Sequence, residues 1–261
     1  MMVLTHPFRD QCDAADLLDD CNCLSAFCGK LEYQAGEKAK LEIPDAKMEE
    51  QRTEFINKFK GDGLECLVEF IIKKFGTHPH IGISDYELIP VSDDTGVDGK
   101  GKSALDGKPV TVQVKYRQAN HLLTANGDHL TNFAWTSVRK FGVDIASSNH
   151  MLIFTTAEDV HHFTQQEMLD GAVKVLNRQA LRELTDQMQG FWSSFKEALL
   201  SSRTERAWVK PIELREHQLE AVAAVTAAIQ SGANKGIVEL PTGTGKTLVQ
   251  AGLIAALEGK E

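Results

Sequence analysis

From residue 110 to 117 the chain alternates strictly, as VTVQVKYR, so Val110, Val112, Val114 and Tyr116 share one face of a predicted β-strand while Thr111, Gln113, Lys115 and Arg117 share the other. One face is apolar and packs, and the other is available for chemistry. From 45 to 75 the period is helical: Leu64, Leu67, Val68, Ile71, Ile72 and Phe75 recur at spacings of three and four and lay a broad apolar stripe on a sheet, with a break expected at Gly61-Asp62-Gly63. Residues 13–27 (DAADLLDDCNCLSAF) read as a helix with Leu17, Leu18 and Leu24 inward. Further strands are predicted at 85–91, 151–155 and over VKVL at 173–176, and further helices at 129–142, 158–169, 178–188 and 191–200. In the helix at 129–142, Phe133, Trp135, Val138 and Phe141 are expected to pack in the core, and His161 and His162 to lie on a polar surface. Strands alternating with helices predict an α/β fold with a mixed sheet flanked by helices, closed by a linker at SSRTER.

Length and charge narrow this picture. A chain of 261 residues, 42% hydrophobic, builds ordinary cores in one large or two small domains. The net charge of −9 argues against a protein that coats nucleic acid nonspecifically, but eleven acids against five bases in the first 50 residues account for most of it. Residues 1–50 are therefore read as an acidic helical appendage. A local basic groove is still allowed, with Lys100, Lys102, Lys108, Lys115 and Arg117 as candidate phosphate contacts or, for the first three, solvated loop charges. No run has the length of a signal-peptide core or a membrane span, which leads to a cytoplasmic expectation. Cys12, Cys21, Cys23 and Cys28 crowd into one segment near His6, but their spacing is not that of paired CxxC knuckles, and they are read as reduced, partly buried thiols.

The chemistry is concentrated between residues 93 and 117. GVDG places Asp98 at a glycine-flanked bend, and GKSALDGKP is rich in turn residues, so the loop can return Asp98 beside Gln113 and Lys115. A carboxylate, a second oxygen ligand and a lysine two residues on are what metal-dependent phosphodiester hydrolysis needs. The same D…QxK spacing also suits a plain solvated hairpin.

The string GVDG…VQVKYR resembles the Mrr-type branch of the PD-(D/E)xK nucleases, in which glutamine replaces the acid before x-Lys. The resemblance covers about residues 52–190 and lacks the proline before the acid. It implies a restriction-endonuclease-like sheet over residues 51–204, Asp98 and Gln113 as metal ligands, Lys115 as the catalytic lysine, and Glu65, on the preceding helix, as a third ligand. Glu65 has a second reading, a capping box with Asp62 at a helix start, and Glu69 is the alternative acid one turn on. Mg²⁺ or Mn²⁺ is the implied cofactor and DNA the implied partner, a homodimer being left open. With at most two carboxylates on the ion, modest affinity and a preference for Mn²⁺ follow. The runner-up is a nuclease fold that only binds and positions DNA.

A second signature begins near residue 205. GIVELPTGTGKTLVQAGLIAAL reads as strand, glycine-rich turn and amphipathic helix, the setting of a phosphate-binding loop. Backbone N–H groups from Gly243, Thr244, Gly245, Lys246 and Thr247 would cradle phosphates, with Lys246 neutralising them and Thr247 holding Mg²⁺. PTGTGKT resembles motif I of superfamily 2 helicases, although Leu240 stands where the longer loop consensus has glycine. That family places an Arg-x-x-Gln before a helix to read adenine, which maps onto Arg215 and Gln218. The plain reading of the same helix start is polar, with Leu219, Val222, Val225 and Ile229 packing. Residues 205–261 are thus expected to begin a RecA-like domain using ATP. Because the sequence stops fourteen residues after Thr247, it is expected to be the N-terminal part of a longer nuclease-helicase, with weak or no nucleotide binding by itself.

Overall fold

The centre of the first structural unit is the strand that the alternation at 110–117 predicts. In the computed structural model, which describes residues 3–44, 48–89, 96–146, 149–161, 172–203, 216–233, 235, 249–250 and 253, this strand spans Pro109–Lys115. In chain order the elements are α1 (Phe8–Gln11), α2 (Ala14–Leu18), α3 (Leu24–Glu42), α4 (Glu49–Phe75), β1 (Ile83–Leu88), β2 (Gly99–Ser103), β3 (Pro109–Lys115), β4 (Leu122–Leu123), α5 (Leu130–Phe141), β5 (Met151–Thr155), β6 (Asp159–Val160), β7 (Val173–Leu176), α6 (Arg178–Gln187), α7 (Phe191–Ser202) and α8 (Glu216–Gln230). The chain divides into two compact units, Met1–Arg203 and Thr204–Glu261.

The main sheet has the order β1-β2-β3-β5-β7, and β4 pairs with β6 in a small parallel ribbon. The β1–β2 and β2–β3 ladders are antiparallel; the β3–β5 and β5–β7 ladders are parallel. Such a mixed sheet is buried on both faces by helices, and the alternation along each strand sorts side chains between two cores. Val110, Val112, Val114, Leu152 and Phe154 face a large core with Leu64, Leu67, Phe70, Ile71, Phe191 and Phe195. Met151 and Ile153 point the other way, to a smaller core with Val97, Leu130 and Phe133.

The polar face of β3 is not open along its length. Thr111 and Gln113 are fully buried and α5 packs against β3. Thr111 Oγ1 donates to Ser137 Oγ at 2.8 Å, and Ser137 Oγ donates to the Phe133 carbonyl at 2.7 Å, so the burial costs no unpaired hydroxyl. Only at the strand's C-terminal end, from Lys115 onward, does this face become accessible.

Several expectations need correction. The helix α4 runs unbroken through Gly61-Asp62-Gly63. Each helical glycine costs about 1 kcal/mol, but each buried Leu, Ile or Phe on the stripe returns about 2 kcal/mol, so packing overrides propensity. Gly63 has a packing role as well: a Cβ there would lie 2.6 Å from Leu31 Cδ1, so the missing side chain lets α3 seat closely on α4. Asp62 is therefore mid-helix, bonded by Lys58 at 2.8 Å, and not a capping residue. The helix read over 13–27 is two helices, separated by a turn with Asp20 at φ 52°; Leu17, Leu18 and Leu24 are buried as expected. Trp135 is 58% exposed, with the Arg139 guanidinium 4.3 Å from its ring centroid, and is not core. Residues 159–160 are strand where a helix was expected, and 162–171, His162 included, lie outside the described residues. The first strand spans Ile83–Leu88, and 90–95 also lie outside.

The first 44 residues are built into this architecture. Leu4, Phe8, Leu17, Leu24, Phe27 and Leu31 belong to the large core, with Phe27 stacked on Trp192. Cys12, Cys21 and Cys28 are buried free thiols whose pKa values burial pushes up to about 11, the state of inert cysteines. No helix of the described residues is long and apolar enough to cross a membrane.

Candidate functional site

The antiparallel β2–β3 register sets Gly99 opposite Val112, which returns the GVDG bend to the end of β3. Asp98 N–H donates to the Val112 carbonyl at 2.9 Å, and Val114 N–H donates to Asp98 Oδ2 at 2.6 Å. The carboxylate is thereby anchored at the strand edge, beside the residues flanking Val114. Close approach is possible because residue 99 is glycine: a Cβ there would sit 2.4 Å from the Tyr86 hydroxyl. Gln113 is fully buried; its Nε2 donates to the Gly96 carbonyl at 2.8 Å, which orients the amide and leaves Oε1 buried with no hydrogen-bond partner among the described residues.

A second carboxylate comes from α4, where Glu65 and Glu69 are one turn apart. Glu65 is partly exposed and accepts from His6, whose Nε2 lies 3.0 Å from Oε2. Glu69 is fully buried and saturated: Oε1 accepts from Thr5 N–H, Thr5 Oγ1 and Lys73 Nζ at 2.7, 2.5 and 2.6 Å, and Oε2 from His6 N–H at 2.9 Å. Burial pushes the Glu69 pKa up, but these donors outweigh it and hold the carboxyl below its ordinary value. With its oxygens so occupied, Glu69 is a structural acid, and Glu65 is the more open of the two carboxylates.

Burial lowers the Lys115 pKa, and the Asp98 charge opposes that most strongly, with Asp128 and Glu65 adding to it. The Tyr86 hydroxyl is buried without a partner among the described residues; burial raises its pKa well above the usual value, and Asp98, Glu69 and Glu65 raise it further. Lysine and tyrosine thus sense the same two acids, Asp98 and Glu65, from different elements. Next to Lys115 an open groove of about 500 Å³ is lined by Asn57, Lys60, Gly61, Val114, Tyr116, Arg117 and Gln118. Lys60 Nζ lies 5.3 Å from the Tyr116 ring centroid, and Arg117 Nε is fixed by Asp128 Oδ1 at 2.6 Å. Lys100 and Lys102, which lie on β2 and not in a loop, are engaged with Glu87 and Asp85, and Lys108 with Asp144.

The buried amide oxygen without a donor and the anchored aspartate at β3, and the glutamate on α4, are hard-oxygen groups of the kind that bind divalent cations. His6, Asp62 and Glu65 also bring one ligand atom each within 4.8 Å of one another.

Comparison with known families adds one finding about the second unit. Residues 211–261 match the family described as type III restriction enzyme, res subunit. The match covers the segment with the phosphate-loop signature, and it supports reading this segment as part of a restriction-type ATP-dependent helicase. It does not extend to residues 1–210. No curated protein and no solved structure matched the chain. In the res-subunit-like segment α8 is helical as expected, with Val222 and Gln218 buried; Leu219 and Ile229, read as packing residues, are 54% and 42% exposed. Arg215 and Gly243, Thr244, Gly245, Lys246 and Thr247 lie outside the described residues.

Three groups of the site have no sequence signal of their own. His6 and Tyr86 come from elements with no motif, and Asp128, 2% exposed, holds Arg117, His121 and the Thr124 N–H from a turn. His6 is identified only by its pairing with Glu65, 59 positions away, and Asp128 by partners four to eleven residues off that follow no period.

Proposed function

We propose that the unit Met1–Arg203 is a metal-dependent DNA endonuclease of the Mrr-like PD-(D/E)xK kind, set at the N-terminus of a restriction-type nuclease-helicase. The observation that carries this reading is the buried, unpartnered Oε1 of Gln113 on the same strand end as Lys115 and the anchored Asp98. Leaving an amide oxygen buried without a partner costs about 1–3 kcal/mol, which a bound cation would remove.

Asp98, Gln113 and Glu65 would hold Mg²⁺ or Mn²⁺, which supplies a Lewis acid for the phosphate and a more acidic water. The chain's own groups do the rest. Val114 N–H keeps Asp98 in place, so no reorganisation accompanies binding. Lys115 presents an ammonium to the charge that develops on the phosphate. Lys60 and Arg117 line the groove beside it and suit the flanking backbone phosphates. The res-subunit-like segment would couple this unit to ATP-driven movement on DNA in the longer protein.

The test is supercoiled-plasmid cleavage with Mg²⁺ or Mn²⁺, with and without ATP, comparing the wild type with Lys115→Ala and Asp98→Ala. Metal-dependent nicking, unaffected by ATP and reduced at least about 100-fold by either substitution, is expected. Nicking that survives both substitutions sinks the reading; duplex binding without scission points instead to a DNA-positioning module.

A further inference from the structure

The start of the chain reaches back onto α4 at the site. Thr5 and His6 are held there by the donors they give to Glu69, which sets the His6 ring beside Glu65, one turn earlier on the same helix. His6 is buried and its ring has two partners: Nδ1 lies 3.1 Å from the Phe8 backbone nitrogen, and Nε2 lies 3.0 Å from Glu65 Oε2.

Phe8 N–H can only donate, so Nδ1 must offer a lone pair. In the neutral ring the proton is then on Nε2, directed at the Glu65 carboxylate. Ligating a cation through Nε2 would need a lone pair on both nitrogens, an imidazolate. His6 therefore does not complete the His6-Asp62-Glu65 cluster as a ligand, and Asp62 is engaged by Lys58. What the ring can do is hold one oxygen of Glu65.

We propose that His6 is a positioning residue of the nuclease site: its Nε2–H fixes Glu65 Oε2 and leaves the other oxygen to the cation shared with Asp98 and Gln113. The inference rests on the nuclease reading and makes the N-terminal segment a working part of the site. It also assigns Phe8 N–H a role, that of selecting the tautomer.

Two substitutions in the whole chain separate positioning from packing. His6→Gln keeps an N–H donor near the place of Nε2, whereas His6→Asn keeps an acceptor near the place of Nδ1 but falls short of Glu65. Mn²⁺ binding by calorimetry is expected to stay within about threefold of wild type in His6→Gln and to weaken about tenfold or more in His6→Asn, with nicking following the same order. Nitrogen-15 spectra of the metal-free protein should show Nε2 protonated and Nδ1 bare. The opposite tautomer, or equal Mn²⁺ affinity in the two variants while Asp98→Ala still abolishes wild-type nicking, overturns the role of His6 and leaves the nuclease reading intact. A wild type that neither binds Mn²⁺ nor nicks overturns both.

Discussion

Gln113 is where the residue-scale argument is sharpest. The neutral amide tolerates full burial beside Asp98, and a carboxylate would not without a cation. Gln113→Glu should lower the melting temperature in chelator and regain it with Mn²⁺, a response larger than the wild type's because metal binding becomes folding energy. Identical responses in the two proteins would show that this position does not face the ion. Glu69 makes a different prediction. Its folded pKa is depressed, so the stability it contributes is present above its unfolded pKa and is lost as pH falls through the folded value. Glu69→Gln leaves Lys73 and Thr5 facing a neutral group and should cost about 3 kcal/mol in urea unfolding at neutral pH, a deficit that shrinks on acidification. A deficit constant from neutral to acid pH would refute the assignment. At this scale the return of Asp98 to β3 and the shared face of Gln113 and Lys115 were legible, because alternation and turn residues are local signals. His6 was not, since its partner Glu65 lies 59 positions away.

Among the elements, α4 carries the most. Local propensity predicts a break at Gly61-Asp62-Gly63, and the two glycines turn out to differ in surroundings. A Cβ at Gly61 would meet nothing within 4 Å, whereas at Gly63 it would press on Leu31. Gly61→Ala should therefore stabilise the protein by about 0.5–1 kcal/mol, and Gly63→Ala should destabilise it, both read from chemical denaturation. The same sign for both would mean that helix propensity alone, and not the α3–α4 contact, governs this stretch. Trp135 teaches a related point. Two residues from Phe133 puts it about 200° round α5, so when the helix buries Leu130, Phe133 and Ser137 the ring is left outside, covered by Arg139.

For the whole molecule, the division at Arg203 separates a unit with its own cores from the res-subunit-like segment. A chain of residues 1–203 should unfold in one cooperative calorimetric transition and nick plasmid with metal but without ATP. Removing residues 1–44 should abolish both, since Phe8, Phe27 and Leu31 are part of the large core. A 45–203 fragment that folds and nicks like the longer chain would show the N-terminal helices to be dispensable.

The amino-acid sequence determined the periodic elements, the mixed α/β class, the hairpin that returns Asp98 to β3, and the phosphate-loop signature, all of which depend on neighbours within a few residues or on one strand-to-strand turn. Tertiary structure decided that α5 covers the polar face of β3, that packing carries α4 through its glycines, that Glu69 is saturated while Glu65 stays partly exposed, and that the His6 ring bonds Glu65. Those outcomes depend on which faces meet after collapse, and burial energy between segments tens of residues apart leaves no period in the chain.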